Sequence, residues 1–463
     1  MHACRLIRKG VVKILAKAIS ENRPTPNYRQ WFRSFIYYFT IALFISGCGG
    51  GGSDTTPAVD NTSFRVALSV SPFSELMFDA GLSLSDGQTV AQSVAELTAM
   101  FMDHGGNEVF VRISTERSAS AIGEDRSLTR GLARAQLARS VSLPLNPELG
   151  LFGSYGDHSC QTPPDFSEYP EITLPGPWES LTVEQMIPVL RSYGRLAAQE
   201  ILATGVSVNI WDIGNEVGFG TAGVAPQPII DSTCDTLEGG SGWYRAPDGV
   251  DPIIGTESVA SLHAMTDSAR IAWLQAHVWP HQARLMAAVA EGIREVEPTA
   301  RLSTHIATGL GSNFPVAFFQ AMSAGGFVVD EIGFSVYPSA SAGPVEGRFE
   351  AFKAVVGAVR AAFTTTPVFV AEYAYPAEPM TSGPYQSWNY EVPGYPISVQ
   401  GQTDLLRDLV SWGKEHGVSG IRPWAPDLYV GHWGPMSLFS ASTLTQATAR
   451  PSLNAIQEAL AQP

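Results

Sequence analysis

Eight short β-rich runs, separated by amphipathic helical stretches at a spacing of about 40 to 50 residues, constrain the fold of this chain more than any other feature. The runs are Arg65 to Pro72, Glu108 to Ser114, Gly150 to Tyr155, Val206 to Glu216, Arg301 to Thr308, Glu331 to Pro338, Pro367 to Tyr375 and Gly420 to Trp424. Helical periodicity falls between them, as in Val90 to His104, Val183 to Thr204, Ile271 to Val296, Phe349 to Phe363 and Thr403 to His416. Eight such units match an α/β fold of the (β/α)8 TIM barrel type. A doubly wound open sheet is the alternative, and the even spacing favours closure. Long irregular segments, Asp157 to Leu181, Val217 to Met265 and Ala377 to Val399, each follow a strand. They therefore belong to the C-terminal rim, where active sites of this fold are built.

Within the stretch WDIGNEVGFG, Trp211 to Gly220, an apolar strand ends in Gly-Asn-Glu. Gly218, Gly220 and Gly223 spell GxGxxG, but a dinucleotide fingerprint must open a helix, and Pro226 and Pro228 forbid one. The glycines read as loop. Glu216 closes the fourth strand and Glu372 lies near the end of the seventh, so a closed barrel aims both at one mouth. Two facing carboxylates suit glycoside hydrolysis, in which one protonates the leaving oxygen and the other attacks the sugar or activates water.

The N-terminus reads as an address. Up to Gly47 there are eight Lys/Arg against Glu21 alone, and Phe35 to Ser46 is apolar but too short to span a bilayer. Residues 1–47 are an export signal, 48–62 a flexible tether, and 63–463 the barrel domain. Ile45-Ser46-Gly47-Cys48 resembles a bacterial lipobox, which makes Cys48 the lipidation site of a cell-surface or outer-membrane lipoprotein; a plain secretory or periplasmic route is the alternative. After Gly47, 21 basic residues face 43 acidic ones. That balance excludes nucleic acid as a partner and leaves the lipid as the sole contact with membrane. With 44% hydrophobic and 16% charged residues the chain has material for a large core. Cys160 and Cys234, in the loops after strands three and four, are expected to form one disulfide in an oxidising compartment. No CxxC or HExxH is present, so no metal is expected.

The motifs around these carboxylates resemble clan A glycoside hydrolases, and within the clan family 53, the endo-β-1,4-galactanases. IGNE, Ile213 to Glu216, is similar to that family's acid/base motif, DEIGFSVYP, Asp330 to Pro338, to its strand-six signature, and VFVAEYAYP, Val368 to Pro376, to its nucleophile strand. Softer matches are FVRIS around Arg112, RLMAAVAEGIREV, and GIRPWAPD around Trp424. The chain departs from the family after Glu216, where a longer insertion carries Trp243 and Tyr244, and at strand three, where GSYGDHS is only partly recognisable.

The resemblance implies a retaining endo-glycosidase acting on β-1,4-galactan by double displacement, with Glu216 as acid/base and Glu372 as nucleophile. Other clan A activities on mannan, xylan or glucan, or a lipoprotein that captures glycans without cleaving them, are the alternatives. Arg112 and Tyr337 match positions that hold the nucleophile anionic, and are otherwise a structural ion pair and a rim tyrosine. Asn215 would hydrogen-bond the sugar 2-hydroxyl. Trp424, at the end of strand eight, is a stacking platform for the sugar or else core filling. His305, Trp243, Trp388 and Trp433 are placed to line the cleft, and Asp212 is read as a buried hydrogen-bonded group. No cofactor is required, with a structural calcium not excluded. The partner is a neutral polysaccharide or oligosaccharide, and the protein is expected to be a monomer.

Overall fold

The computed structural model describes residues 64–118, 126–153, 155–229, 246–340 and 348–462. Its eight principal strands are β1 (Arg65–Val66), β2 (Val109–Ile113), β3 (Leu145–Leu149), β4 (Trp211–Ile213), β5 (Leu302–Ala307), β6 (Glu331–Val336), β7 (Val368–Tyr373) and β8 (Val418–Pro423). All pair in parallel in the order β1-β8-β7-β6-β5-β4-β3-β2. Chain neighbours are therefore sheet neighbours, and β1 already pairs with β8, which is the order a (β/α)8 barrel requires.

A side chain completes the remaining gap between β1 and β2. Asn107 Oδ1 accepts from the Val66 amide at 2.8 Å, its Nδ2 donates to Phe64 O at 3.0 Å, and its own amide donates to Val66 O at 3.0 Å. Ser69 Oγ then accepts from the Phe110 amide at 2.7 Å. These bonds satisfy edge groups that an open sheet would expose.

The third strand lies at Leu145–Leu149, not at Gly150 to Tyr155. LNPEL hid itself because Pro147 and two polar residues argue against a central strand. Asn146 and Glu148 are nonetheless wholly buried, facing arginines inside the barrel. The apolar run that follows turns at Leu151, whose φ of +58° is left-handed and ends the strand.

Helices cover the outside. Val183–Ala203 begins with a capping box between Thr182 and Gln185. It packs on Trp279–Val296 at two mutual close approaches. A Cβ at Gly194 would stand 2.3 Å from Val289 O, and one at Gly292 would stand 2.0 Å from Arg191 O. The predicted helix from Ile271 to Val296 is two helices, Asp267–His277 and Trp279–Val296. Pro280 lies in the first turn of the second, where its missing N–H costs no helical bond. A four-stranded sheet built from Ser83–Ser85, Val90–Ala91, Phe439–Thr443 and Gln446–Ala449 ties the two ends of the domain together. Among the described residues no helix is long and apolar enough to cross a membrane. The signal, the tether and Cys48 lie outside the described residues.

Candidate active site

Glu216 follows β4 by three residues, and the chain turns sharply to reach it. Gly214 takes φ +79°, and Glu216 itself is left-handed at φ 49°, ψ 44°. A non-glycine residue held there costs about 1 kcal/mol, and such outliers concentrate at functional sites. The bend carries the side chain from the barrel wall into the mouth, where it is 8% exposed. Its Oε2 accepts from the His158 amide at 3.1 Å. Burial, with Glu372 and Asp157 nearby, pushes its pKa up to about 8, against the pull of the Ser335 hydroxyl and of that amide.

Glu372, on β7, is 4% exposed and differently held. Arg112, from β2, donates to Oε1, and Tyr337 Oη donates to Oε2 at 2.5 Å. His305, from β5, reaches toward both glutamates: its Nε2 stands 3.9 Å from Glu372 Oε1 and 3.4 Å from the Glu216 amide nitrogen. Asn215 Oδ1 lies 2.9 Å from His305 Nε2. Burial and the arginines Arg422 and Arg112 push the imidazole well below its ordinary pKa, so it is neutral. Asn215 Nδ2 donates to Gly156 O at 2.6 Å, which uses one of its two N–H groups and fixes the amide plane.

Beneath the pair lies a buried ring of charge. Arg112 also binds Glu148, and Arg422 binds Glu148 at 2.9 Å, Asp212 at 2.7 Å and Asn146 at 3.1 Å. Arg112 pairs in register with Glu148, and Glu148 with Asp212, so these side chains share the inner face. Asp212 is the buried, bonded group its position suggested. Glu148, Asp212 and His305 bring ligand atoms within 4.8 Å of one another, close enough for a metal ion. Guanidinium groups already supply the cations there, and His305 faces two of them. The donor set fits counter-charge better than a metal.

Sequence reasoning missed Glu148, Arg422 and the hairpin Gly156–Asp157/Cys160–Gln161 that leans on Glu216. Arg422 was readable as two residues before Trp424 on the same face of β8. Glu148 was hidden with its strand, and the hairpin carries no periodic signal.

Trp424 is partly exposed at the mouth, with the Arg112 guanidinium 4.2 Å from its ring centroid and Phe110 against its edge. A second aromatic group stands beside Glu372: Tyr337, Trp388, Tyr385 and Trp433 have centroids 4.9 to 6.1 Å apart. Of the expected cleft tryptophans, Trp388 and Trp433 thus adjoin the site, while Trp243 lies outside the described residues. Cys160 is buried in the hairpin, and Cys234 lies outside the described residues. The GxGxxG glycines shape a turn in which Val224 N donates to Thr221 O at 2.8 Å. Gly220, at φ +140°, has no room for a Cβ, which would meet Val224 O at 2.2 Å.

The model described as Glycosyl hydrolase family 53 matches residues 247–456, a span that includes His305, Tyr337, Glu372 and Trp424. The chain is a glycoside hydrolase, similar to family 53. Arg112, Asn215 and Glu216 precede the matched span. Among solved structures the hydrolase resembles the GH53 catalytic domain of Ignisphaera aggregans, with a TM-score of 0.61 at 16% identity over 87% of this chain and 98% of that one. It also resembles a structure reported for two fungal β-1,4-galactanases, with a TM-score of 0.57 at 18% identity over 86% and 100%. At such identities the likeness is one of fold. No curated protein matches the sequence.

Proposed function

We propose that the hydrolase is a retaining endo-glycosidase of neutral β-linked polysaccharide, with β-1,4-galactan as its substrate, Glu372 as nucleophile and Glu216 as acid/base. The observation that carries this reading is the unequal treatment of the two glutamates. Glu372 accepts from a guanidinium on one oxygen and a phenol on the other. Glu216, met by no cation among the described residues and with a pKa raised by burial, Glu372 and Asp157 to about 8, holds a proton at neutrality.

In the first step a Glu372 oxygen attacks the anomeric carbon while Glu216 gives its proton to the glycosidic oxygen, and the C–O bond to the leaving sugar breaks. The product is a glycosyl ester of Glu372. Glu216, now a carboxylate, takes a proton from water, whose oxygen displaces Glu372 and regenerates both groups. Asn215 keeps one N–H for the sugar 2-hydroxyl, and Trp424, partly exposed and with Arg112 over its ring, offers its free aromatic surface to the sugar. The galactanase structure among its likenesses and the family 53 match support galactan. The lipobox-like sequence supports export to the cell surface through Cys48, and oxidation there would join Cys160 to Cys234.

Release of reducing ends from purified galactan, mannan, xylan and β-glucan tests the substrate. Fastest release from galactan is expected, and preference for another glycan replaces it. Binding of oligosaccharides with no hydrolysis, unaltered by Glu372→Gln, would leave only glycan capture.

A further inference from the structure

The segment after Glu216 runs from Val217 to Met265 before the helix at Asp267 begins. Part of it returns to the mouth as the helix Val259–Ala264, which carries His263. His263 Nε2 lies 2.8 Å from His158 Nε2, with the rings edge to face at 4.9 Å. Phe219, three residues beyond Glu216, packs on both rings, at 5.1 Å from His158 and 5.2 Å from His263. His158 is also the residue whose amide donates to Glu216 Oε2.

We infer that His263 is a positioning residue: through its bond to His158 the rim segment holds the His158 amide on the Glu216 carboxyl and so sets that group's proton affinity. The inference rests on Glu216 being the acid/base. Two ring nitrogens 2.8 Å apart share one proton, one donating and the other accepting. Burial, then His263 and Arg270, pushes His158 down to about 3, and burial with Arg270 lowers His263 as well, so both rings are neutral near pH 7. The rest of the hairpin is fixed from its other side. Gln161 Nε2 donates to Asn215 O at 2.8 Å, and Asp157 Oδ1 accepts from the Ser159 and Cys160 amides at 2.7 and 3.3 Å. The His158 ring is thus gripped by the rim segment while its main chain grips Glu216.

The groups acting on Glu216 are Glu372 and Asp157, which favour its neutral form, and the Ser335 hydroxyl and the His158 amide, which favour the ionised one; neutral His305 adjoins its main chain. Arg270, paired with Asp267, is the charge nearest the two histidines. Releasing the amide removes a bond that only the carboxylate needs. Proton affinity must then rise.

The test titrates the Glu216 carboxyl directly, by the carbon resonance of labelled glutamate in the uncomplexed full chain, assigned through Glu216→Gln. His263→Phe keeps ring packing on Phe219 and removes the nitrogen. His263→Ala removes both, and His263→Gln returns a donor. The Phe and Ala variants are expected to raise the midpoint by about half a unit, roughly threefold in proton affinity, and the Gln variant to restore it. His277→Ala, a histidine paired with Asp251 elsewhere, serves as the control and leaves the midpoint in place. A midpoint unmoved in folded His263→Phe, or moved as far by His263→Gln, overturns the inference. No glycan enters the measurement, so failure to hydrolyse galactan would count against the substrate and not against this bond.

Discussion

Tyr337 Oη donates to Glu372 Oε2 at 2.5 Å, on the oxygen opposite the one that Arg112 holds. The nucleophile is therefore held on both oxygens, from β2 and from the residue that follows β6. Removing the hydroxyl alone should leave the ring packed against Trp388 and Trp433. A hydrogen bond to a charged group contributes about 1.5 to 3 kcal/mol, so Tyr337→Phe should lower kcat/KM roughly 10- to 100-fold. Steady-state kinetics with near-ultraviolet circular dichroism checks it. A rate close to the parent's with packing intact would mean the bond is structural only.

The proton on Glu216 sets an alkaline limit. The acid form is needed for leaving-group departure, and its pKa is raised to about 8. The rate kcat/KM should therefore hold up through neutrality and fall as pH rises through about 8. Glu372→Gln lifts the negative charge that helps to raise Glu216, so in that variant the carboxyl should titrate lower. Nuclear magnetic resonance titration of the variant reads this directly, and a midpoint at or above the parent's contradicts the coupling.

The same shift links stability to pH. Glu216 is raised on folding, so the stability it contributes is full below the unfolded value of 4.5 and is lost as pH climbs through the folded value near 8. Glu216→Gln cannot ionise and escapes that loss. Its stability relative to the parent should grow between pH 5 and pH 8 and level off above, by about 3 to 4 kcal/mol. Urea unfolding at both pH values measures it. An advantage that shrank with rising pH would reverse the sign and sink the assignment.

How much of this was legible depended on which residues carry a pattern. Glu216 and Glu372 announced themselves because each ends an apolar run, and strand ends in a barrel converge. Asp212 could be placed as buried because it shares the strand parity of Glu216 and lies deeper along the strand. Glu148 could not, since Pro147 beside it contradicts what a central strand permits, and the apolar Gly150 to Tyr155 offered a better-looking substitute. The His158–His263 contact joins two loops 105 residues apart, and no local periodicity encodes such a meeting. Asn107 escaped notice for a related reason: a lone asparagine beside a strand gives no hint that its amide completes the barrel.

Glu148 is the counter-ion shared by Arg112 and Arg422. Glu148→Gln preserves shape but leaves two buried guanidiniums facing a neutral amide, the case in which breaking a buried pair costs about 3 to 5 kcal/mol. The loss should appear as a lower urea midpoint with unchanged slope. Since Arg112 also positions Glu372, kcat should fall in the variant that still folds. A stability within 1 kcal/mol of the parent's, roughly the value of a surface pair, would show that water reaches the ring.

A covalent intermediate on Glu372 has a stereochemical signature that no other assignment of the pair reproduces. In Glu216→Ala the ester still forms from a substrate with a good leaving group, such as an aryl β-glycoside, because no proton need be supplied. Its hydrolysis stalls, because water lacks a base. Azide needs no base, so it should displace Glu372 and give a β-glycosyl azide, with the rate restored roughly 10- to 100-fold. In Glu372→Ala the azide must instead take the vacated nucleophile's place, attack from the opposite face and give the α-azide, with Glu216 still protonating the leaving group. Proton coupling constants of the two products distinguish the anomers. The same anomer from both variants, or the α-azide from Glu216→Ala, would exchange or abolish the roles given to the two glutamates.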